Sequence, residues 1–164
     1  MIMRKATPED IPLIREMAEV VFRRTYKEIL SPAQMEYMMD MMYSEENLAS
    51  QMASGHYFFL EEGKGYASFR YDCISEDGKE VYHLEKLYVM PHFQGSGLGR
   101  AFFDRIVSAI RELTSAPVRI ELNVNRQNTA VTFYEHLGMT KARTGDFAIG
   151  KGFYMNDYIM SIDI

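Results

Sequence analysis

The chain has few of the residues that crosslink small extracellular or metal-bound domains. Cys73 is the only cysteine among its 164 residues, so the sequence offers neither a disulfide framework nor the paired spacing of a zinc site. A single cysteine is typical of a protein in a reducing compartment, and we expect a cytoplasmic protein without a metal ion. A chain of this length can bury a core large enough to fold without such crosslinks.

Basic charge and long apolar runs are also scarce. The chain has 18 Lys and Arg residues against 23 Asp and Glu, a net charge of −5. A nucleic-acid partner is therefore not expected, because a duplex-binding protein needs a basic face. No apolar run approaches membrane-spanning length, and the first ten residues contain no apolar signal core. We expect a single domain over residues 1–164 with no membrane partner and no secretory leader.

Three helices are predicted in the first third of the chain, after a short strand over residues 2–6. The first helix begins at a Thr7 cap and has apolar residues at three- and four-residue steps as far as about residue 25. The second begins at Ser31 and is rich in methionine, and the third begins at Ser44 and ends at a glycine. Together these helices are expected to form a lid or an acceptor wall.

The rest of the chain alternates between strand and helix patterns. Strands are predicted over residues 56–62, 64–74, 118–124, 139–149 and 154–162 and in the segment that ends at Met90. One helix is predicted after the glycines that follow Met90, ending near residue 114, and another over residues 129–137. This order predicts an α/β (α+β) fold in which a mixed sheet has helices on both faces.

The most informative stretch reads HLEKLYVMPHFQGSGLGR, from His83 to Arg100. Its first half suits a buried strand, and Pro91 ends that strand because it has no backbone N–H to donate. A glycine-rich turn and a long amphipathic helix follow. Glycines let a ligand approach the backbone, and the first N–H groups of a helix have no partner inside it, so the arrangement favours anions. We expect a phosphorylated ligand on this turn.

Spacing separates three kinds of phosphate loop. A P-loop needs Lys followed by Ser or Thr after its last glycine, and here Gly99 is followed by Arg100. The dinucleotide fingerprint counted from Gly95 needs a glycine at position 100, which is also absent. The pattern that remains is Q-x-x-G-x-G, directly after L-Y-V-x-P.

This pattern closely resembles the acyl-CoA-binding motif of the GNAT superfamily of N-acetyltransferases. A second stretch, Asn125-Arg126-Gln127-Asn128-Thr129-Ala130 followed by FYEHLGM, resembles the superfamily's downstream motif, with Met139 in place of the usual Phe. The two motifs span roughly residues 83 to 139. The resemblance implies the GNAT fold, a central, mostly antiparallel sheet of six to seven strands, with acetyl-CoA as co-substrate.

The resemblance also implies roles for individual residues. The pantetheine arm is expected beside the L-Y-V strand, the pyrophosphate on the glycine turn, and a tyrosine as general acid toward the departing thiolate. The residues assigned to cofactor binding are Leu87, Tyr88, Val89, Gln94, Gly95, Ser96, Gly97, Leu98, Gly99, Arg100 and Asn128, and the general acid is Tyr134. A phenol is roughly matched in pKa to an alkyl thiol.

The general base stays open between two residues of one strand. Many superfamily members have a Glu four residues before the Leu of L-Y-V, where this chain has His83, and Glu85 lies two residues on. Because side chains alternate along a strand, both project to the same face. Glu85 is favoured, since His83 can equally contact the substrate. Phe22 and Tyr26 of the first helix are the candidate substrate contacts.

The chain is therefore predicted to transfer an acetyl group from acetyl-CoA to a primary amine by direct attack through a ternary complex. The acceptor is expected to be a polyamine-like small molecule or a peptide, because the first helices are acidic and FRRTYKEILSP resembles the acceptor side of small-amine acetyltransferases. Two alternatives are a module that binds acyl-CoA without catalysis and a nucleotide-binding domain. A homodimer through the terminal strands or the methionine-rich helix is a further expectation.

Overall fold

The structure, a computed structural model, describes residues 3–164. Within that range the elements in chain order are β1 (Arg4–Lys5), α1 (Ile11–Tyr26), α2 (Pro32–Tyr43), α3 (Glu45–Ala53), β2 (Tyr57–Glu61), β3 (Gly65–Ile74), β4 (Glu80–Val89), α4 (Leu98–Leu113), β5 (Val118–Asn125), α5 (Ala130–His136), β6 (Thr140–Gly150) and β7 (Phe153–Asp163). Each predicted helix and strand is present. The predicted start of the first strand, at Ile2, lies outside the described residues.

The strands form one sheet in the order β1-β2-β3-β4-β5-β7-β6. β4 and β5 run parallel, with Glu80 opposite Val118 and His83 opposite Glu121. The pairs β1–β2, β2–β3, β5–β7 and β6–β7 are antiparallel. The predicted mixed α/β fold is therefore confirmed, with seven strands.

The residues group into two compact units. The first comprises the chain up to Arg70 together with Glu85–Ser115, and it contains α1 to α4 and the second half of β4. The second comprises Tyr71–Leu84 and Ala116–Ile164, and it contains the first half of β4 together with β5, α5, β6 and β7. The glycine turn thus belongs to the first unit and Tyr134 to the second.

Side-chain caps begin the helices of the first unit where the sequence predicts them. The hydroxyls of Ser31 and Ser44 each accept the backbone N–H three residues later, at 3.1 Å. Before α1, residues 8–10 form one 3-10 turn, in which the Asp10 carboxylate accepts the N–H of Thr7 at 2.9 Å. The predicted first helix consequently has a tighter first turn than an α-helix.

An aromatic cluster fills the core of the first unit. The Tyr66 hydroxyl donates to that of Tyr43 at 2.8 Å, and burial raises the pKa of both phenols well above the ordinary value. The ring of Phe22 packs edge-on against Tyr43, with 5.6 Å between centroids. Three methionines of α2 are buried in the same core. That face of α2 therefore packs inside the unit, and the homodimer expected from the sequence stays a prediction.

The second unit has the strand alternation that the sequence predicts. The buried side chains of β5 are Val118, Ile120, Leu122 and Val124. On its other face, Arg119 donates to Asp163 and to Asp77, each at 2.9 Å. Apolar packing on one face and ion pairs on the other hold β5 in its register.

β3 approaches the second half of β4 closely at Gly65. A Cβ built on Gly65 lies 2.7 Å from the carbonyl oxygen of Tyr88 and 2.9 Å from the ring of Phe102 on α4. A backbone oxygen in a sheet cannot rotate away from such a contact, so the position requires a glycine. Gly65 therefore sets the spacing of β4 and α4, the two elements on either side of the glycine turn.

We expect Gly65→Ala to lower the free energy of unfolding by about 1–3 kcal/mol, as overpacking does, and to weaken binding of the expected cofactor by displacing β4 and α4. Urea denaturation and calorimetric titration with CoA measure the two effects. Gly78→Ala is the control, because a Cβ there meets nothing within 4 Å although its φ is +85°. It should lose some stability and keep its CoA affinity. Wild-type stability and CoA affinity in the Gly65 variant would show that the contact carries no constraint.

Candidate functional site

The glycine turn after β4 contains two residues with left-handed backbone conformation. Gly95 has a φ of 80° and Gly97 a φ of 87°, values that other residues adopt only with strain. A Cβ added at either position meets nothing within 4 Å. Glycine is therefore required there by the backbone conformation and not by lack of space. Gly97 is the N-cap of α4, so the turn leads into a helix N-terminus as predicted.

Backbone donors line this turn. Within residues 3–164, no protein acceptor is bound by the N–H groups of Gly95, Gly97, Leu98 and Gly99. Ser96 differs, because its N–H donates to the carbonyl oxygen of Phe93 at 3.3 Å. Of the six N–H groups from Gly95 to Arg100, these four are thus available to an anion. The helix dipole adds to their positive potential.

Two polar side chains flank these donors. The side-chain amide of Gln94 donates to the Val89 carbonyl oxygen at 3.0 Å, which ties the turn to the last residue of β4. Arg100, in the first turn of α4, is exposed. Gln94 therefore acts on the turn by holding it against the strand, and Arg100 provides a cation near the anion-binding N–H groups.

The end of β4 carries the predicted cofactor strand and contacts the predicted substrate residues. Leu87, Tyr88 and Val89 are half-buried. The Tyr88 hydroxyl lies 3.3 Å from that of Tyr26, and its ring lies 6.1 Å from that of Phe22 between centroids. Phe22 is only 1% exposed, so it supports the site from the aromatic core, whereas Tyr26 brings a hydroxyl to it. The substrate roles of both residues stay predictions.

The two candidate bases have different surroundings. Glu85 accepts from the Nε of Arg70 at 2.5 Å, and the two side chains are 26% and 33% exposed. His83 is half-buried and stands opposite Glu121 in the pairing of β4 with β5. The ion pair fixes the position of the Glu85 carboxylate.

The residue after Glu85 in the chain is a buried amine that was not predicted from the sequence. Lys86 is 4% exposed, and its Nζ donates to the side-chain oxygen of Gln51 at 2.7 Å. The same Nζ lies 5.5 Å from the ring centroid of Tyr43 and 5.4 Å from that of Phe58. Burial lowers the pKa of Lys86 to about 8, and the charge of Glu85 partly offsets this effect. The cofactor strand therefore contains a cation that is neutralised more easily than a surface lysine.

Besides His83, two predicted site residues lie in the second unit. Tyr134, on α5, is 8% exposed, and its ring packs 5.3 Å from that of Phe133 between centroids. Asn128 lies just before this helix, and its side-chain oxygen accepts the N–H of Ala130 at 2.9 Å. The catalytic and cofactor roles of these two residues remain predictions.

Metal sites and membrane-spanning helices are the two other features of interest. Within residues 3–164, no three His, Cys, Asp or Glu side chains form a group that could hold a metal ion. The same residues include no helix that is both long enough and apolar enough to span a membrane. Cys73 is exposed on β3.

Comparison with known proteins decides the family. A family model for the acetyltransferase (GNAT) domain matches residues 12–161. The chain belongs to the GNAT acetyltransferase family. The match includes residues of both compact units, from α1 to the last strand. It agrees with the two motifs from which the resemblance was recognised.

Individual relatives of this GNAT protein are distant in sequence. An uncharacterized N-acetyltransferase in the pepI 3' region of Lactobacillus delbrueckii subsp. lactis is 25% identical over 156 residues, 91% of this chain and 87% of the relative. The crystal structure of the paia N-acetyltransferase from Thermoplasma acidophilum in complex with coenzyme A has a TM-score of 0.74 at 17% identity, covering 99% and 98% of the two chains. A GCN5-related N-acetyltransferase from Rhodopseudomonas palustris has a TM-score of 0.77 at 16% identity, covering 99% and 95%.

These findings confirm the predicted family, fold and enzyme class. The protein is a GNAT N-acetyltransferase, an acyltransferase that uses acetyl-CoA and acts on an amine acceptor. The family fixes the reaction. The choice of acceptor depends on this chain's own side chains.

Lys86 leads to a prediction about stability. Its folded-state pKa of about 8 lies below the ordinary value of about 10.4, so between those pH values the unfolded chain binds more protons than the native state. Native stability should therefore rise as the pH increases from 8 to 10. Below pH 8 the buried ammonium costs the folded state on the order of 2–3 kcal/mol. We expect Lys86→Met to stabilise the protein at pH 7 by about 1–2 kcal/mol, after the loss of the Gln51 hydrogen bond.

Urea unfolding at pH 7, 8, 9 and 10 measures both effects. The methionine variant should lose the rise in stability that the wild type shows above pH 8. Lys5→Met is a control, because Lys5 is an exposed lysine and its substitution should leave that rise unchanged. A variant that is less stable than the wild type at pH 7 would mean that the ammonium is a net stabilising group.

Proposed function

We propose that this GNAT protein transfers the acetyl group of acetyl-CoA to a primary amine of a small molecule or peptide by direct attack in a ternary complex, in the cytoplasm. The observation that carries the proposal is the exposed turn of N–H donors at the N-terminus of α4, directly after the strand that ends in Leu87-Tyr88-Val89. The proposal assigns the diphosphate of the cofactor to those donors. It assigns the pantetheine arm to the backbone of the strand and to Asn128.

The reaction requires the transfer of one acetyl group and of two protons. The amine lone pair attacks the thioester carbon, the C–S bond breaks from the tetrahedral intermediate, and the thiolate takes a proton from Tyr134. The amine proton passes to a base, directly or through water. A base is useful because only about one aliphatic amine in a thousand is neutral at pH 7. Backbone N–H groups of β4 are suited to stabilise the oxyanion, because such donors need no reorganisation during the reaction.

The structure changes the argument for a polyamine-like acceptor. That expectation rested on acidic residues of the first helices. Two of them are now seen in ion pairs: Glu36 with Arg23, and Glu45 with Arg15. These carboxylates are partly neutralised before any substrate arrives. A polyamine-like amine therefore remains one acceptor class to test, beside amino acids and peptide N-termini.

We expect Tyr134→Phe to lower kcat by about a hundredfold or more, the usual contribution of a general acid, while the dissociation constant for CoA stays within about twofold. Thiol release from acetyl-CoA, measured with polyamines, amino acids and peptides as acceptors, gives kcat, and calorimetry gives the affinity. Tyr154→Phe, at an exposed tyrosine of the same unit, should keep wild-type values. CoA binding without thiol release from any acceptor would instead identify a module that binds acyl-CoA without catalysis.

The base is tested by comparing Glu85→Gln with His83→Gln over a range of pH. If Glu85 accepts the proton, the Glu85 variant should lose about a hundredfold in kcat/KM and the acid limb of its pH profile. The His83 variant should keep that limb and change mainly KM. The opposite pattern would assign the proton transfer to His83 and leave Glu85 as the ion-pair partner of Arg70.

A further inference from the structure

A cavity of about 630 Å³ opens on the first unit where the end of α1 meets the start of α2. This volume is in the range of small-molecule sites, about 300–1,000 Å³. Its apolar lining residues are Leu30, Pro32 and Met35. Its charged lining residues are Arg23, Arg24, Lys27 and Glu36. The cavity therefore combines an apolar surface with an excess of positive charge.

The charges of the cavity fall into two groups. Arg23 is held between Glu19 and Glu36, each at 2.5 Å, and these carboxylates keep its pKa above the ordinary value. The charge of Arg23 is therefore already paired with the carboxylates of Glu19 and Glu36. Arg24 and Lys27 are exposed, and neither forms an ion pair within residues 3–164. These two cations are available to an anion that enters the cavity.

The same turn of α1 contacts the proposed cofactor strand. Tyr26 lies between Arg23 and Lys27 in the chain, and its hydroxyl is 3.3 Å from that of Tyr88 on β4. The helix that provides the cations of the cavity thus also touches the strand on which the thioester arm is proposed to lie. Tyr26 is buried whereas Arg24 and Lys27 are exposed, so the cavity and β4 contact different sides of the same helical turn.

We propose that this cavity binds the acceptor amine, and that the acceptor carries a carboxylate and an apolar body, as a hydrophobic amino acid does. The inference rests on the proposed acetyl transfer and specifies its substrate class. Arg24 and Lys27 bind the carboxylate, and Leu30 and Met35 contact the apolar body. A polyamine fits this lining poorly, because its ammonium groups would face two unpaired cations and its chain carries no anion.

Three acceptors with acetyl-CoA test the proposal: phenylalanine, phenethylamine, which has the same ring and amine without the carboxylate, and spermidine. The wild type should show the highest kcat/KM with phenylalanine. Arg24→Glu and Lys27→Glu should each raise KM for phenylalanine about tenfold, with little change in kcat or in the values for phenethylamine. Arg111→Glu makes the same change of charge at an exposed residue of α4 and should have no effect.

Transfer to phenethylamine or spermidine that equals transfer to phenylalanine overturns the proposal and leaves the N-acetyltransferase function intact. If CoA binds and no amine is acetylated, the transferase function fails, and the cavity is tested separately by calorimetry with N-acetylphenylalanine. Binding to the wild type that is lost in the Arg24 variant and kept in the Arg111 variant supports an anion site for an apolar ligand. If N-acetylphenylalanine does not bind to the wild type, the proposed anion site is overturned as well.

Discussion

The close contact between Gly65 and the second half of β4 is the constraint on which the first unit depends. At that point β3 meets the Tyr88 carbonyl oxygen and the Phe102 ring with no room for a Cβ. The strand and α4 are therefore held at one separation, and the turn that joins them has to cover a fixed distance. Gly95 and Gly97 do so with left-handed backbone angles, which leave the next N–H groups without protein acceptors. Together with the N-terminus of α4, whose first N–H groups have no partner inside the helix, the turn leaves donors available to an anion.

The burial of Lys86 has a cost in free energy. The inward side of β4 is packed by the aromatic cluster and by α3, so an amine there has Gln51 and two ring faces as neighbours and no carboxylate in contact. A methionine would fill the same space without loss of solvation. A charge retained at such a position is often explained by function. Lys86 is next in the chain to Glu85, a candidate base, and the charge of Glu85 partly offsets the effect of burial on the pKa of Lys86.

Much of the fold could be predicted because its signals are local. Ser31 and Ser44 cap their helices within three residues of themselves, and the alternation of β5 can be read from eight residues. The glycine turn was recognised for the same reason. The features that were missed depend on distant partners. Nothing near Gly65 in the sequence indicates Tyr88, and Arg70 gives no sign of its pairing with Glu85.

Lys86 is an intermediate case. The alternation that places Leu84 on the inner face of β4 also places Lys86 there, so burial could have been inferred from the pattern. The partner could not, because Gln51 is 35 positions away on α3. Sequence periodicity indicates which side a residue faces, and only tertiary packing determines what it meets there.

The division between cofactor and acceptor recognition follows from the chemistry of the two sites. The proposed cofactor contacts are backbone N–H groups, which every residue but proline possesses, so such a glycine turn can serve enzymes with different acceptors. Acceptor choice has to come from side chains. In this chain the first helices carry the resemblance to the family least clearly, and they contain the cavity with Arg24 and Lys27. For an acceptor in the proposed site, the sign of the charge in that cavity matters more than the net charge of −5, because screening in salt limits the reach of more distant charges to about 10 Å.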